Sequence, residues 1–439
     1  MVVVGAGMAG LSAAWRLRDR DLLVLESEPR VGGRLRSQRR GDYWLNLGGH
    51  VLAGAGSETA QLLEQAGVPS AEVPGVLSAL ALNGRVLASG PVETYPLRVR
   101  LGVRQRAALA AAGARLRLAV RRYGAVSARR PGEDERERQA RVLRFDDDRS
   151  FADFLGPVPA DVDAVFRATI RRSSGEPEQV SAGYGIGYFQ LVWDRHAGLT
   201  RNVLGGSATL PEAIAAVLGE RVQTGAEVTG IDPGADGVEV AYRQGGREHL
   251  ARARAVVVAV PAPLAAGLVS RLPADTADAL GRIAYGAYVV GAFLTSEPGP
   301  MPYDHVYAMA TPKLSFNMLF NMASVVRGDR RRPGGSLMVY SGASLATRLD
   351  RLDDRQVLDV YQRELTELFP ALKRRFAEAQ LVRWRRGLPH PRPGRGDLQP
   401  ALTRPLQRVF LAGDYLGTSY VETAVRTGRE AAEGARAWL

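Results

Sequence analysis

The clearest hydrophobic pattern lies at the start of the chain. Residues 2–4 are consecutive valines, a β-branched apolar run that is typical of a buried parallel strand. After a glycine-rich break, Leu11, Ala14 and Trp15 recur at helical spacing, and residues 22–25 form a second apolar run. This order of strand, helix and strand predicts a parallel α/β unit.

Other patterns predict local structure farther along the chain. Residues 57–67 and 354–369 have helical periodicity, and the first of these segments is bounded by a serine and a glycine. Residues 77–86 are mainly apolar on both sides of Asn83 and Gly84, a pair that is typical of a hairpin with a type I′ turn.

Two charged stretches follow. Residues 97–123 carry leucines and valines among many arginines, which predicts a basic amphipathic helix. That helix would be a solvated face of the protein or would touch an anionic membrane surface. Residues 129–149 are rich in both signs of charge, and we predict a surface linker there.

The glycine spacing in the first break has a chemical reason. Gly5 allows a tight turn, Gly7 lets the backbone approach a pyrophosphate, and Gly10 lets the helix pack closely on the strand. Glu26 ends the second apolar run, where a carboxylate accepts hydrogen bonds from ribose hydroxyls. Together these residues predict a dinucleotide-binding site.

Length and charge narrow the class of protein. A chain of 439 residues exceeds what one hydrophobic core usually holds, so two or more domains are expected. The net charge of +12 is almost entirely arginine, but the arginines are scattered and show no recognition motif. We therefore expect no nucleic-acid partner.

Residue types that are missing exclude further chemistry. The sequence has no cysteine, which excludes disulfides, thiolate metal ligands and a flavin bonded through cysteine. Its five histidines have no metal-ligand spacing, so no metal is expected. With no apolar run of about twenty residues and no visible signal peptide, we expect a cytoplasmic protein without a transmembrane segment.

Two more segments make the chain resemble a known family. Residues 30–37 read Arg-Val-Gly-Gly-Arg-Leu-Arg-Ser, and residues 409–432 hold an apolar strand ending in Gly-Asp, followed by a helix. With the first glycine motif and its acid, these segments resemble the flavin amine oxidase superfamily. That superfamily includes monoamine and polyamine oxidases, protoporphyrinogen oxidases and phytoene-type desaturases. The resemblance implies FAD, bound without a covalent bond.

The resemblance also implies which residues hold the cofactor. Val228 would touch the adenine through its backbone, and Asp414 would bond the ribityl or phosphate region. The helix that begins near Thr423 would point at the pyrimidine end of the flavin. The implied FAD-binding residues are Gly5, Gly7, Met8, Ala9, Gly10, Glu26, Ser27, Gly32, Gly33, Arg34, Leu47, Gly48, Gly49, Val228, Gly413, Asp414, Thr423, Ala424 and Val425.

In fold, the resemblance implies an α/β protein with a Rossmann-like FAD-binding domain that is discontinuous in sequence. A second, substrate domain would combine a mixed β-sheet with helices. The FAD-binding segments are predicted at 1–76, 201–284 and 385–439, and the substrate segments at 77–200 and 285–384.

For the substrate site, the resemblance implies a cage of two aromatic rings before the flavin. Tyr420 stands where the second ring is expected, but no tyrosine near residues 388–394 supplies the first. Val290 stands where many amine oxidases have a lysine. Catalytic roles stay open among four candidates, each with a plain alternative in the core or at the surface: Tyr420, Tyr184, Arg327 and His50.

The expected activity is oxidation of a C–N bond, in an amine or amide, of a largely apolar organic substrate with a role in secondary metabolism. A hydride would pass to flavin N5, and O₂ or another acceptor would reoxidise the flavin. Alternatives are C–C oxidation of the protoporphyrinogen or phytoene type, and a non-catalytic FAD-binding redox sensor. The oligomeric state stays open, with a homodimer among the alternatives.

Overall fold

The computed structural model describes residues 1–74, 79–193, 199–327, 332–418 and 420–438. Within these ranges the strands, in chain order, are β1 (Val2–Val4), β2 (Leu23–Glu26), β3 (Ser37–Arg40), β4 (Tyr43–Asn46), β5 (Leu52–Ala53), β6 (Ser70–Glu72), β7 (Ala79–Leu82), β8 (Arg85–Leu87), β9 (Leu199–Val203), β10 (Val222–Thr224), β11 (Ala226–Pro233), β12 (Val238–Gln244), β13 (Arg247–Ala253), β14 (Val256–Val258), β15 (Tyr285–Thr295), β16 (Ala308–Ala310), β17 (Met318–Asn321), β18 (Gly335–Gly342), β19 (Phe376–Pro389) and β20 (Val409–Leu411).

The helices connect and cover these strands. In chain order they are α1 (Met8–Arg16), α2 (Glu58–Gln65), α3 (Tyr95–Arg98), α4 (Val103–Ser127), α5 (Glu135–Leu143), α6 (Phe151–Leu155), α7 (Ala160–Ile170), α8 (Ala182–Trp193), α9 (Thr209–Leu218), α10 (Ala262–Leu268), α11 (Ala274–Gly281), α12 (Ser324–Arg327), α13 (Ser344–Leu349), α14 (Asp354–Leu368), α15 (Gln399–Leu402) and α16 (Val421–Arg436). None of those described is long and apolar enough to cross a membrane.

The first of the two main sheets is parallel and has five strands, in the order β10-β2-β1-β14-β20. Successive side chains of a strand point to opposite faces. Val3 and Val257 accordingly pack under α1, α9 and α16, whereas Val4 and Val258 pack towards β11, α10 and α11. The sheet is therefore buried on both faces, which explains the unbroken valine runs in its strands.

The second main sheet is mixed and has seven strands, in the order β19-β15-β18-β17-β16-β7-β8. Its strand pairs are antiparallel except for β16 with β7, and α14 packs on β15, β18 and β19. The α/β fold class with a second, mixed-sheet part is thus confirmed. The five-stranded sheet takes strands from three segments separated in sequence, and the exact domain boundaries stay a prediction.

Several local predictions match the structure. The Ser57 hydroxyl accepts the Ala60 amide at 3.0 Å and so caps α2. Asn83 and Gly84 both have positive φ, as a type I′ turn between β7 and β8 requires. Residues 75–78, part of the predicted hairpin, lie outside the described ranges.

The predicted surface linker over residues 129–149 is wrong. The structure has α5 there, begun by a capping box in which Asp134 and Glu137 each bond the other's backbone amide. Arg138 pairs with Glu135 one turn away, and Asp147 is buried. Charges spaced three residues apart stabilise a helix, so dense charge did not mean irregular backbone.

The basic helix α4 buries part of its apolar side. Leu109, Leu116 and Val120 pack into the core that α4 shares with α7 and α8, and its arginines face outward. Leu97, Val103 and Leu118 are nevertheless exposed beside the arginines, so both interpretations of residues 97–123 stay predictions.

Helices α1 and α16 approach so closely that backbone meets backbone. A Cβ atom at Gly428 would lie 2.1 Å from the Ala9 carbonyl oxygen, and one at Gly10 would lie 1.9 Å from the Gly5 carbonyl oxygen. The Ser12 hydroxyl donates to the Val425 carbonyl at 2.7 Å between the same helices. The two ends of the chain are thereby packed against each other.

We expect Gly428→Ala to lower the melting temperature clearly, because its methyl group would overlap a backbone oxygen that cannot rotate away. Gly113→Ala is the matched control within α4, since a Cβ there meets no atom within 4 Å. In an open helix position, alanine is worth about 0.5–1 kcal/mol over glycine, so the control is expected to melt slightly higher. Equal melting temperatures for the two variants would contradict the close helix contact.

Candidate active site

The glycine-rich turn leaves an open face at the start of α1. Gly7 is the N-cap with φ −73° and ψ 177°, and no side chain caps the first turn. A Cβ at Gly7 would meet nothing within 4 Å, whereas Gly5 and Gly10 are hemmed in by backbone. The helix therefore presents uncapped amides, including those of Met8 and Ala9, to open space, which suits an anionic group.

Glu26 lies directly beneath this turn. Its Oε2 accepts the Ala6 amide at 2.7 Å, and its Oε1 accepts the Glu28 amide at 2.9 Å. The Ser27 hydroxyl also donates to Oε1, at 3.4 Å. The carboxylate is buried, with further lone pairs for hydroxyl donors.

The double-glycine segment packs over the same turn. The Gly32 amide donates to the Ala6 carbonyl at 2.8 Å, and a Cβ at Gly33 would lie 3.4 Å from the Cα of Gly7. Both glycines have positive φ, which explains why this segment needs residues without a Cβ.

Arg34 joins the two ends of the chain. Its guanidinium donates to both carboxylate oxygens of Asp414, at 2.7 and 2.8 Å, and also to the Gly387 carbonyl. A bidentate pair of this kind fixes orientation as well as distance. A Cβ at Gly48 would lie 2.2 Å from the Arg34 carbonyl oxygen, so the loop of residues 47–49 packs here too.

The start of α16 completes this edge of the site. Tyr420 is its N-cap, and no side chain caps the first turn, which includes Thr423. Thr423, Ala424 and Val425 are buried, and Gly413 donates its amide to the Thr427 hydroxyl at 3.0 Å. Val228 lies apart on β11, paired with Tyr242.

Taken together, these groups suit a dinucleotide such as FAD. They combine free helix amides beside open space for phosphate, a buried carboxylate for hydroxyl groups, and a second uncapped helix start. The structure thus brings the predicted cofactor residues into one region, except for Val228, which lies apart in the three-stranded sheet β11-β12-β13.

Next to this region lies a group of tyrosines that we call the tyrosine cluster: Tyr184, Tyr188, Tyr288, Tyr340 and Tyr420. Ring centroids are 5.5 Å apart for Tyr184 and Tyr188, 6.0 Å for Tyr188 and Tyr420, and 5.7 Å for Tyr288 and Tyr340. Burial raises the pKa of Tyr288, Tyr340 and Tyr420 above the ordinary value, yet these residues keep some accessible surface. Burial together with remaining accessible surface is typical of side chains that line an internal recess, and we infer that the tyrosine cluster lines one.

His50 extends the recess towards the cofactor loops. Its ring packs edge-on against Phe320 at 4.5 Å, and its Nδ1 lies 3.4 Å from the Gly48 carbonyl oxygen. Burial lowers the pKa of His50 to about 4, and the charge of Arg172 adds to that effect. The imidazole is therefore neutral near pH 7, and its buried Nε2 has no partner.

Arg172 is the residue that sequence reasoning missed. Its guanidinium carbon lies 5.4 Å from the ring centre of Tyr188, and its charge acts on Tyr340 and His50. Arg171 and Arg172 stand side by side in an ordinary helical stretch, and no motif distinguishes them. Only the packing of this short turn against the strands shows which arginine faces inward.

Two other residues singled out in the sequence are Arg327 and Val290. Arg327 is buried in an ion cluster, 3.1 Å from Glu297 and in contact with Asp304, so its guanidinium serves the protein itself. Val290 lies buried on β15, paired with Tyr340, and presents no charge there. In the described ranges no group of three His, Asp or Glu side chains is placed to hold a metal ion.

We expect stability to fall as pH decreases from 6.5 to about 4. Burial lowers the pKa of both His50 and His390 to about 4, so in this window the unfolded chain binds protons that the folded chain does not. His50→Gln is expected to flatten the slope of the free energy of unfolding against pH by up to about 1.4 kcal/mol per pH unit. Melting temperatures measured across this range test it, and an unchanged slope in the variant would exclude a buried neutral His50.

Comparison with known proteins agrees with this geometry. The family model for flavin containing amine oxidoreductases matches residues 8–435. Amine oxidase [flavin-containing] A from Bos taurus is 25% identical over 387 residues, covering 84% of this chain and 69% of that protein. The L-amino-acid oxidase of Crotalus adamanteus is 54% identical over only 50 residues, 11% of this chain and 10% of its own length.

Solved structures show the same fold. Cyclohexylamine oxidase from Brevibacterium oxydans superposes with a TM-score of 0.78 at 19% identity, covering 99% of this chain and 98% of that one. Wild-type putrescine oxidase, solved with putrescine bound, superposes with a TM-score of 0.76 at 17% identity and the same coverage. The chain belongs to the flavin-containing amine oxidoreductase family and is a flavin-dependent oxidoreductase.

Proposed function

We propose that this protein is an FAD-dependent oxidase that removes a hydride from a carbon bonded to nitrogen in a largely apolar substrate. The observation that carries the proposal is the position of the tyrosine cluster. Tyr420 begins α16, and His50 follows the loop of residues 47–49, so the recess adjoins two elements of the cofactor region. The amines in the names of the structural neighbours, cyclohexylamine and putrescine, support C–N chemistry.

In this proposal FAD is held without a covalent bond. The amides of Gly7, Met8 and Ala9 would face the pyrophosphate, and Glu26 would bind the ribose hydroxyls. Arg34 and Asp414 would contact the ribityl and phosphate region. Their bidentate ion pair already fixes the orientation of both side chains. The remaining residues proposed to contact FAD are Gly5, Gly10, Ser27, Gly32, Gly33, Leu47, Gly48, Gly49, Val228, Gly413, Thr423, Ala424 and Val425.

The chemistry divides between cofactor and protein. A bound flavin supplies a two-electron acceptor, and O₂ as the final acceptor would yield hydrogen peroxide. The protein's tyrosine rings position an apolar substrate and exclude water from the reacting carbon. His50, neutral at pH 7, offers an imidazole nitrogen as a hydrogen-bond acceptor in the recess.

A second candidate function rests on Val290. An apolar side chain occupies the place where a lysine is common in amine oxidases, and the neighbouring wall is formed by Met338, Phe320 and Trp384. This lining also suits C–C oxidation of a porphyrinogen or polyene. A role in secondary metabolism stays a prediction from the sequence.

We expect Gly7→Val to fold like the wild type but to purify without flavin. The new side chain has room in the protein alone, since a Cβ there meets no atom within 4 Å, but it would take the place of the pyrophosphate. Flavin absorbance per protein and the melting temperature of flavin-free protein separate the two effects. Gly267→Val, at another open position, is the matched control and keeps its flavin. Chromatography of flavin released by heat would identify FAD, and full flavin content in Gly7→Val would contradict the assignment.

Anaerobic bleaching of the bound flavin tests the reaction. Amines and amides, porphyrinogens and polyenes form the three panels, and the proposal expects bleaching by the first panel, reversed by air. Tyr420→Leu is expected to slow reduction by amines about tenfold, since an aromatic contact to a cation is worth roughly 1–2 kcal/mol. Tyr420→Phe keeps the ring and should keep most of the rate. Bleaching by porphyrinogens or polyenes alone would move the protein to C–C oxidation.

A further inference from the structure

The backbone at Arg172 is held rigidly in the wall of the recess. Its carbonyl oxygen accepts the hydroxyls of Tyr288 at 2.5 Å and Tyr188 at 3.1 Å. The neighbouring Arg171 is instead paired with Glu176 at 3.0 Å and donates to the Ser344 hydroxyl at 3.2 Å. Two phenols of the tyrosine cluster thus fix the position from which the Arg172 side chain extends.

The guanidinium of Arg172 has no carboxylate partner in the described part of the chain. Its Nε is buried without a hydrogen bond, and no carboxylate oxygen of those residues lies within 4.0 Å of it. Three other inward arginines hold carboxylates: Arg34 holds Asp414, Arg327 holds Glu297 and Asp304, and Arg426 holds Glu430 at 2.6 Å. Arg395 is buried and holds no carboxylate of the described residues either, but its guanidinium donates to the Gln399 side chain and the Tyr415 carbonyl. The Arg172 guanidinium hydrogen-bonds the Tyr340 hydroxyl, a neutral group that does not offset the charge. A half-buried cation without a counter-charge is costly, so this one is placed for an anion from outside the chain.

The charge of Arg172 also selects against simple cationic amines. It lies over the ring of Tyr188 and interacts with Tyr340 and Tyr420, the tyrosines that would receive a substrate amine. A second positive charge in a poorly solvated recess is repelled, unless the same molecule brings a negative charge to the guanidinium. A carboxylate meets that need best, since its two oxygens match the two-pronged guanidinium.

We propose that Arg172 binds a carboxylate of the substrate, so that the substrate is an apolar amine that also carries a carboxylate, of which an α-amino acid is the simplest. This inference rests on the proposed C–N oxidation. In the reaction the Cα–H leaves as a hydride with two electrons, and the amine nitrogen loses one proton. The resulting imine is hydrolysed to a keto acid and ammonia, and O₂ takes up the two electrons and two protons as hydrogen peroxide.

The first test compares pairs of substrates that differ only in the carboxylate. Phenylalanine and 2-phenylethylamine form one pair, and leucine and isopentylamine form another, with both enantiomers of each amino acid. We expect one enantiomer of the amino acids to bleach the wild-type flavin at least tenfold more efficiently than the matching amine. Arg172→Leu should reverse this order by lowering kcat/KM for the amino acid at least tenfold while sparing the amine.

The second test measures binding and is independent of turnover. Calorimetric titration of the purified holoenzyme with benzoate, an apolar carboxylate, is expected to show saturable binding in the wild type. Arg172→Leu should weaken that binding at least tenfold, and Arg172→Lys, which keeps the charge, should restore part of it. Arg348→Leu removes an exposed arginine with the same change in net charge and is the matched control.

The outcomes separate the two proposals. If no amine or amino acid bleaches the flavin, the proposed function fails, and benzoate binding still decides the role of Arg172. If the matching amines are the better substrates of the wild type, or if Arg172→Leu binds benzoate as tightly as the wild type, the carboxylate site is excluded. Melting temperatures of all the variants show whether each is folded.

Discussion

The close packing of α1 against its own turn and against α16 is the constraint on which the remaining structure depends. Gly10 and Gly428 leave no room for a side chain, so two helices from opposite ends of the chain share one layer over the parallel sheet. The same contact places the start of α16 beside the glycine-rich turn. A cofactor region made of distant segments follows from this one steric condition.

The Arg34–Asp414 pair reinforces that arrangement with charge. The two residues are 380 positions apart in sequence and form a bidentate contact where the N-terminal and C-terminal segments meet. Because Arg34 also bonds the Gly387 carbonyl, the end of β19 is drawn to the same place. The seven-stranded sheet thereby reaches the cofactor region, and its tyrosines come to lie next to the start of α16.

The recess between the two sheets has an unusual electrostatic character for a site expected to receive amines. Phenols of the tyrosine cluster contact the half-buried guanidinium of Arg172, the nearby imidazole of His50 is neutral, and the strand position of Val290 carries no charge. The family assignment by itself indicates amine oxidation in general. In our proposal the cation of Arg172 narrows the chemistry to a substrate with its own negative charge.

The sequence by itself determined the family and its use of a flavin, because glycines and acids at fixed spacing act through the local backbone. It also indicated the helices and the hairpin that have strong caps or turn residues, such as Ser57 and Asn83. The dense charge of residues 129–149 led to the wrong prediction of a linker, because ion pairs within helix α5 satisfy such charges. Only the tertiary structure decided the substrate recess. An ion pair at Arg172 or Arg327 depends on carboxylates that are distant in sequence. The residues next to each arginine in the sequence therefore do not predict it.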